Sequence, residues 1–597
     1  CFEVKSMLTK KLIVIGVILN VIYTIINTYL GINFGMGMGF GSLTIIIAYA
    51  LYRKTGEEIS KEEIILFMLL ASGASFWFLL GILIFIRAYV PGAYLPTWLI
   101  PSTEVLLGDS ISLSAWIIPL IVLSFVVLGS MILGLIIGYA VSDVVLKNEK
   151  MVFPYARVAA VMIEQFVEKS EKVNLILKWL VLGVIVTAIQ YSAGFIGLDL
   201  TMFDWTPYLP YGFAFALMLN FAIIAVSYII PQNVTLTLLA GGLVSYLLIA
   251  PITAKMGFFV PASDEMSFYL NYLFGFSLSV GLGVMLLGNP LLFVINFLKK
   301  KVSQGKQGSK EEAEELKALG FIEFLKAFKQ SITQNKILGV IYVSISLGFM
   351  LFVIVADVFS PFGIFYAVGI VLLFLAVNAF IDSYILIRMT GETGMSMGIQ
   401  RLAFYESSLA LSGYRGYLGY LLYPAANPFT ASSINYWFKI GDLTGVRAKS
   451  RIIIMWILSV LVNIVVSYLF VLLIWYAYKF PSSDFPGVGV IQAFAIVKMF
   501  AEGNFQAVIN PLVFIASGGI VAILSYFTPI ASLGVALAFM LPPSYIVPFG
   551  IGGLFRLYTD RKYGKKWFDE TGQLLASGFV IGAILSQVIF TLLSLIL

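Results

Sequence analysis

The chain contains no histidine, and its single cysteine is Cys1. An intrachain disulfide is therefore excluded, and so are a zinc site built from Cys and His and an HExxH metalloprotease helix. Any proton handling must fall to Asp, Glu or a bound substrate, because imidazole is absent. Charge is also scarce. Asp, Glu, Lys and Arg make up 11% of the 597 residues, roughly half the share of an average soluble protein. No GxxxxGK[ST] segment is present, so an ATP-driven pump of the P-loop type is not expected. No stretch is long and polar enough to be a separate soluble domain. The chain calls for no cofactor and no resident metal, and its net charge of +6 reflects lysine-rich loops rather than a nucleic-acid surface.

Apolar residues are what the chain has in abundance, at 60% of the total. Apolar runs of about twenty residues recur along it, which is the transmembrane-helix signature. The expected fold is an all-α polytopic membrane protein of about 14–16 transmembrane helices in two related halves, with broken or re-entrant helices. Spans in the first half are expected near 12–30, 36–52, 64–89, 115–146, 173–196, 208–230, 233–252 and 268–298. Met7 reads as a natural start, and the first span is expected to stay in the membrane because no signal-peptide processing site accompanies it. Lys10 and Lys11, Arg53 and Lys54, Lys147 and Lys150, and Lys299–Lys301 fall on one side of these spans. Glu104, Asp109, Asp199 and Asp204 fall on the other. The positive-inside rule then predicts a multi-pass protein of the cell membrane with a cytoplasmic N-terminus.

Three regions are expected: an N-terminal transmembrane half over 7–298, a cytoplasmic linker over 299–336, and a C-terminal transmembrane half over 337–597. The linker carries nine lysines and five glutamates, and its second part reads as an amphipathic surface helix. In the second half, 337–356, 362–386 and 451–478 are clear spans. Residues 389–449 are only patchily apolar, and their GETG, YPAANP and GDLTG stretches predict broken helices. Further crossings are expected at 487–501, 509–540, 542–557 and 571–597.

Five segments carry the functional expectations. NTYLGINFGMGMGFG (27–41) holds Gly31, Gly35, Gly37, Gly39 and Gly41. Gly31, Gly35 and Gly39 have small-xxx-small packing spacing. A break there would instead expose backbone groups beside Asn27, Tyr29 and Asn33. In EKMVFPYARVAAVMIEQF (149–166), Pro154 starts a helix with an apolar face at Val158, Met162 and Phe166, and Tyr155 and Arg157 are polar candidates. DSYILIRMTGETGMSMGIQ (382–400) joins Asp382, Tyr384, Arg388 and Glu392 to a glycine-rich break at Gly391, Gly394 and Ser396. Charges at membrane depth usually face a partner or a water-filled path, so Glu392 and Asp382 are proton-coupling candidates, with surface placement as the alternative. GDLTGVRAKSR (441–451) adds Asp442, a third proton-coupling candidate, with a helix N-cap or a cation ligand as the other readings. LPPSYIVPFGIGGLFRLYTDRKYG (541–564) is too rich in proline and glycine for a regular helix throughout. GINFGMGMG and GETGMSMG also share a Gly–Met core, which fits either duplicated halves or a chance match of two short Gly/Met-rich strings.

In order along the chain, NTYLGINFG, LKNEKMVFPYARVAAVMI, SYIIPQNVTLTLLAGGLVSYLLIAP, IRMTGETGMSMG, INYWFKIGDLTGVRAKSR, LPPSYIVPFGIGGLFR and GQLLASGFVIG resemble the conserved segments of the oligopeptide transporter family. The resemblance runs from about residue 12 to the C-terminus and points to a prokaryotic member related to the yellow stripe-like metal–chelate transporters. Departures fall at Tyr155-Ala156, where the family usually has Ser-Gly, and at Gly441, where it has Gln. These bear on substrate more than on fold. The resemblance implies about sixteen helices in two related halves. It implies uptake of small peptides, glutathione or metal complexes of peptide-like chelators, usually with protons. The expected partners are a small peptide or peptide-like metal chelate, protons and the lipid bilayer. Oligomeric state is left open, with a homodimer as one option. The alternatives are a Na⁺-coupled carrier, an exporter or, less readily, a channel.

Overall fold

The computed structural model describes residues 9–34, 41–55, 59–108, 112–148, 151–167, 172–194, 200, 202–288, 291, 321–360, 362–394, 405–422, 426–481, 485, 487–503, 510–528 and 530–594. In chain order its main helices are α1 (Lys10–Phe34), α2 (Gly41–Thr55), α3 (Lys61–Leu70), α4 (Trp77–Tyr89), α5 (Leu113–Asp143), α6 (Pro154–Val167) and α7 (Lys172–Gly194). A hairpin of β1 (Met202–Asp204) and β2 (Ala216–Met218) follows, then α8 (Phe221–Ile229), α9 (Gln232–Lys255) and α10 (Glu265–Tyr272). Next come α11 (Phe321–Gln334), α12 (Lys336–Val355), α13 (Gly363–Gly391), α14 (Pro428–Thr444), α15 (Lys449–Tyr478) and α16 (Val488–Ala501). The chain closes with α17 (Pro511–Phe527), α18 (Ser532–Met540), α19 (Pro543–Tyr563) and α20 (Gln573–Ser594).

Seven helices among the described residues are long and apolar enough to cross a membrane, and shorter apolar helices such as α4 and α17 join them. The fold is that of an all-α polytopic membrane protein. Several expected single spans are interrupted. The expected 64–89 span is α3 and α4 separated by Ala71–Phe76, where Ser72, Gly73 and Ser75 replace helix formers. The expected 208–230 span begins only at Phe221. Before it, Met202–Asp204 pairs antiparallel with Ala216–Met218 across a loop containing Pro207, Pro210 and Gly212. The expected 509–540 span is α17 and α18. The expected amphipathic helix of the linker is α11. Its Phe324 and Phe328 are buried, while Lys326 and Lys329 are exposed.

The chain forms two compact units. One comprises 1–142, 328–383 and 404–505, and the other 143–327, 384–403 and 506–597. Each draws on both sequence halves. In the first unit, Gly134 and Gly138 on α5 let α14 approach closely: a Cβ at Gly138 would lie 2.6 Å from the Ala431 carbonyl oxygen. In the second, Gly578 and Gly582 on α20 admit the backbone of α7 at Ile176 and Leu180. Both are small-xxx-small contacts, which bring helices close where lipid supplies no hydrophobic drive between them.

Candidate functional site

Where a helix breaks in an apolar setting, its released N–H and C=O groups must find partners inside the protein. In the first unit, Ala71–Phe76 is such a break, and α1 and α15 supply the partners. Asn20 Nδ2 donates to the Leu70 carbonyl at 2.7 Å and to Ser459 Oγ at 2.8 Å. Asn463 Nδ2 donates to the Ser72 carbonyl at 3.1 Å, and Asn27 Nδ2 donates to the Gly73 carbonyl at 2.6 Å. The Phe76 N–H donates to Ser467 Oγ at 3.1 Å. Asn20, Thr24 and Thr28 on α1 pair in turn with Ser459, Asn463 and Ser467 on α15. The polar residues thus recur every fourth position on both helices and form a ladder. Every rung is an amide or a hydroxyl.

The second unit holds two breaks of matching sequence. Helix α8 ends at Ile229, and Ile230-Pro231 leads into α9; α18 ends at Met540, and Leu541-Pro542 leads into α19. Ile230 and Leu541 have the same extended backbone, with ψ of 147° in each. Ten positions beyond each break-point proline stands Gly-Gly-Leu, at 241–243 and 552–554. The glycines pack reciprocally. A Cβ at Gly241 would lie 2.9 Å from Ala538 of α18, and one at Gly552 would overlap Ser227 of α8. One at Gly242 would overlap Ile546, and one at Gly553 would overlap Thr235. Each long helix therefore crosses the short segment of the other repeat at its glycine pair. At the first break Gln232 Nε2 donates to Asp560 Oδ2 at 2.5 Å, and Arg556 Nε donates to Asp560 Oδ1 at 2.9 Å.

The second of these breaks has a different chemistry. Tyr269 Oη donates to the Met540 carbonyl at 2.9 Å, and Tyr246 Oη donates to the Leu541 carbonyl at 2.7 Å. The Ser544 N–H, at the start of α19, donates to Glu265 Oε1 at 3.0 Å. Glu265 is 2% exposed. It is the first residue of α10, whose N-cap Asp264 accepts the Ser267 N–H. Asp204 of β1 accepts the Glu265 N–H at 3.0 Å, so the hairpin holds Glu265 in place. A carboxylate at a helix N-terminus meets the positive end of the helix dipole. Burial pushes this carboxyl's proton affinity up, the hydrogen bonds from Ser544 pull it down, and Asp204 and Asp264 push it up again. Glu265 lies ahead of the apolar run that follows it.

The residues expected from sequence divide between the units. Asn27, Tyr29, Gly31 and Asn33 lie in the first, on a helix that runs unbroken through Gly31 to Phe34. Asn27 donates to the Gly73 carbonyl of the break, and Tyr29 packs edge-on against Phe485 with ring centroids 5.4 Å apart. Asn33 Oδ1 accepts the Gly487 N–H at 3.1 Å. A Cβ at Gly31 would fall inside the Trp77 indole, so close packing requires this glycine. Gly35 and Ser396 lie outside the described residues. In the second unit the structure brings Tyr155, Gly391 and Gly394 together. The Phe153 N–H donates to the Gly391 carbonyl at 2.5 Å, and a Cβ at Gly394 would lie against the Tyr155 ring. Gly394 has φ +77°, the left-handed region that favours glycine. Val158, Met162 and Phe166 of α6 are buried, as their spacing predicts. Arg157 is half-buried one turn from Phe153. Tyr384 is buried beneath the Arg388 guanidinium, 5.2 Å from its ring centre, with Phe321 and Phe324 of α11 edge-on to it. Asp382 is fully buried. The side chain of Glu392 lies outside the described residues. Asp442 is exposed in the last turn of α14, which ends at the left-handed Gly445; it does not cap a helix N-terminus. Among the described residues no three Asp, Glu or Cys side chains form a metal-holding group.

Sequence reading missed Asn20, Ser459, Asn463, Tyr246, Glu265, Tyr269 and Ser544. A signal for the first three is present, since polar residues four apart inside apolar spans mark a common face. The paired Ile/Leu-Pro and Gly-Gly-Leu spacings mark the two breaks. Nothing in the sequence marks which carboxylate meets the second one.

Interrupted apolar helices whose freed backbone groups are met by buried polar side chains are a feature shared with many membrane transporters. The chain belongs to the oligopeptide transporter family: the family model described as OPT oligopeptide transporter protein matches residues 7–594. A comparison with curated proteins found no match.

Proposed function

We propose that this family member imports small oligopeptides or peptide-like metal chelates by proton symport across the cell membrane, with its N-terminus and central linker in the cytoplasm. One observation carries the reading: the break at Leu541-Pro542 gathers a half-helix N-terminus, phenol groups and a buried carboxylate in one unit. A peptide offers an amine, a carboxylate and amides. Backbone groups and tyrosines bind such a ligand without demanding one side chain. Tyr155, packed against Gly394, and Tyr545 at the start of α19 lie close enough to interact, and Tyr545 in turn interacts with Glu265. With no histidine and one cysteine in the chain, a transported metal would arrive already chelated. Asp382, buried in α13, and Glu392 remain coupling candidates, whereas the exposure of Asp442 weighs against it.

The test is uptake of labelled di- and tripeptides into proteoliposomes, with and without an inward proton gradient. Saturable uptake driven by the gradient is the expected result. Uptake indifferent to the gradient but driven by Na⁺ would replace the coupling ion. Uptake confined to metal–chelate complexes would replace the substrate.

A further inference from the structure

The Ser544 N–H at the start of α19 is taken, in this structure, by a carboxylate side chain of the protein itself. Glu265 Oε1 accepts the Ser544 N–H at 3.0 Å, and both residues are buried. A transported peptide ends in the same functional group, a carboxylate. Two carboxylates do not share one N–H at one helix start, because the second would face the charge of the first. We infer that ionised Glu265 holds the place of the substrate carboxylate, and that proton binding to Glu265 releases it to a peptide's C-terminal carboxylate. The inference rests on the proton-symport reading and assigns both its coupling residue and the substrate group that residue answers to.

The surroundings fit a group that gives up its charge. The titratable side chains facing Glu265 are Asp204 from β1, Asp264 and Tyr269 from α10, Tyr246 from α9 and Tyr545 from α19. They are two carboxylates and three phenols. The acids favour the neutral form of Glu265, and the helix start favours the ionised form. The balance tips with the proton. A proton from water converts Glu265 to the neutral acid, and its attraction to the helix dipole is lost. The Ser544 N–H then takes the stronger, ionised acceptor that the peptide brings. Tyr246 and Tyr269 keep the Leu541 and Met540 carbonyls satisfied throughout, so the break itself does not refold. On release, loss of the proton returns Glu265 to Ser544 and displaces the peptide.

The experiment uses the full-length transporter in proteoliposomes with labelled dipeptides, either as free acids or C-terminally amidated. In the wild type the free acids should bind more tightly as pH falls, by up to about tenfold per unit. The amidated peptides should bind at least about tenfold more weakly at acid pH and show no such trend. Glu265→Gln should keep peptide exchange while losing gradient-driven accumulation, and its affinity for free acids should no longer depend on pH. If Glu265→Gln still accumulates peptide under the gradient, this inference falls and proton symport stands. If wild-type uptake ignores the gradient for every peptide, the symport reading falls and takes the inference with it. Should the variant not fold, the wild-type comparison decides alone: equal pH trends for free and amidated peptides overturn the proposal.

Discussion

At residues 71–76 the carbonyls released by the break meet asparagine amides and serine hydroxyls, while at residues 540–544 they meet phenols and the released N–H meets a carboxylate. Both arrangements answer the same demand, that no backbone group be left bare in an apolar surrounding. Their responses to solution conditions differ. The ladder of Asn20, Thr24, Thr28, Ser459, Asn463 and Ser467 contains no group that titrates between pH 4 and 9. Its strength is therefore fixed, and it acts as a permanent clamp on an unwound segment. The break at Leu541-Pro542 includes Glu265, whose charge changes with one proton. The fixed clamp lies in the first unit and the titratable group in the second.

The comparison breaks most readily at Asn20. Asn20→Leu strands the Leu70 carbonyl, at about 1–3 kcal/mol, and also removes the donor to Ser459 Oγ and the acceptor of Thr24 Oγ1. Thermal unfolding in detergent should show a large loss of stability that is the same at pH 5 and pH 8. A loss that varied with pH would contradict the fixed character of the ladder. Tyr246→Phe removes one phenol from the other break and leaves the Leu541 carbonyl bare, for about 1–3 kcal/mol in a single group. The same melting experiment should place it below Asn20→Leu in severity.

A smaller, signed effect sharpens the contrast. The folded protein raises the proton affinity of Glu265 above its ordinary value of 4.5. The stability this contributes is fully present below pH 4.5 and is lost as pH rises through the raised value. The difference in melting temperature between wild type and Glu265→Gln should therefore move in favour of Glu265→Gln as pH rises from 4 to 8. A flat difference would mean that Glu265 does not titrate at this site. The smallest effect is expected at Asp442, which is exposed in the last turn of α14. Asp442→Asn should change stability by less than about 0.5 kcal/mol and leave gradient-driven uptake intact. Failure of gradient-driven uptake in Asp442→Asn would return it to the coupling residues.

Composition and periodicity by themselves determined that this chain is a polytopic helical membrane protein, because roughly twenty apolar residues in a row have few other stable fates. They also located the proline start of α6, the buried face of Val158, Met162 and Phe166, and the amphipathic helix of the linker, since each of these is decided within a few turns of chain. The whole-chain order of motifs carried the family. The break inside 64–89 was not legible, because Ala71–Phe76 is apolar enough on average to read as helix and the amides and hydroxyls of α1 and α15 that make its unwinding tolerable lie far away in the sequence. The glycine at position 31 has the spacing of a packing residue and the company of a binding site; the Trp77 indole against it decided for packing. Glu265 is one acid in an ordinary-looking PASDE loop until the hairpin at 202–218 and the start of α19 are brought against it. Burial and partnership between residues hundreds of positions apart are properties of the packed chain, and so the surroundings of Glu265 were decided by the tertiary structure alone.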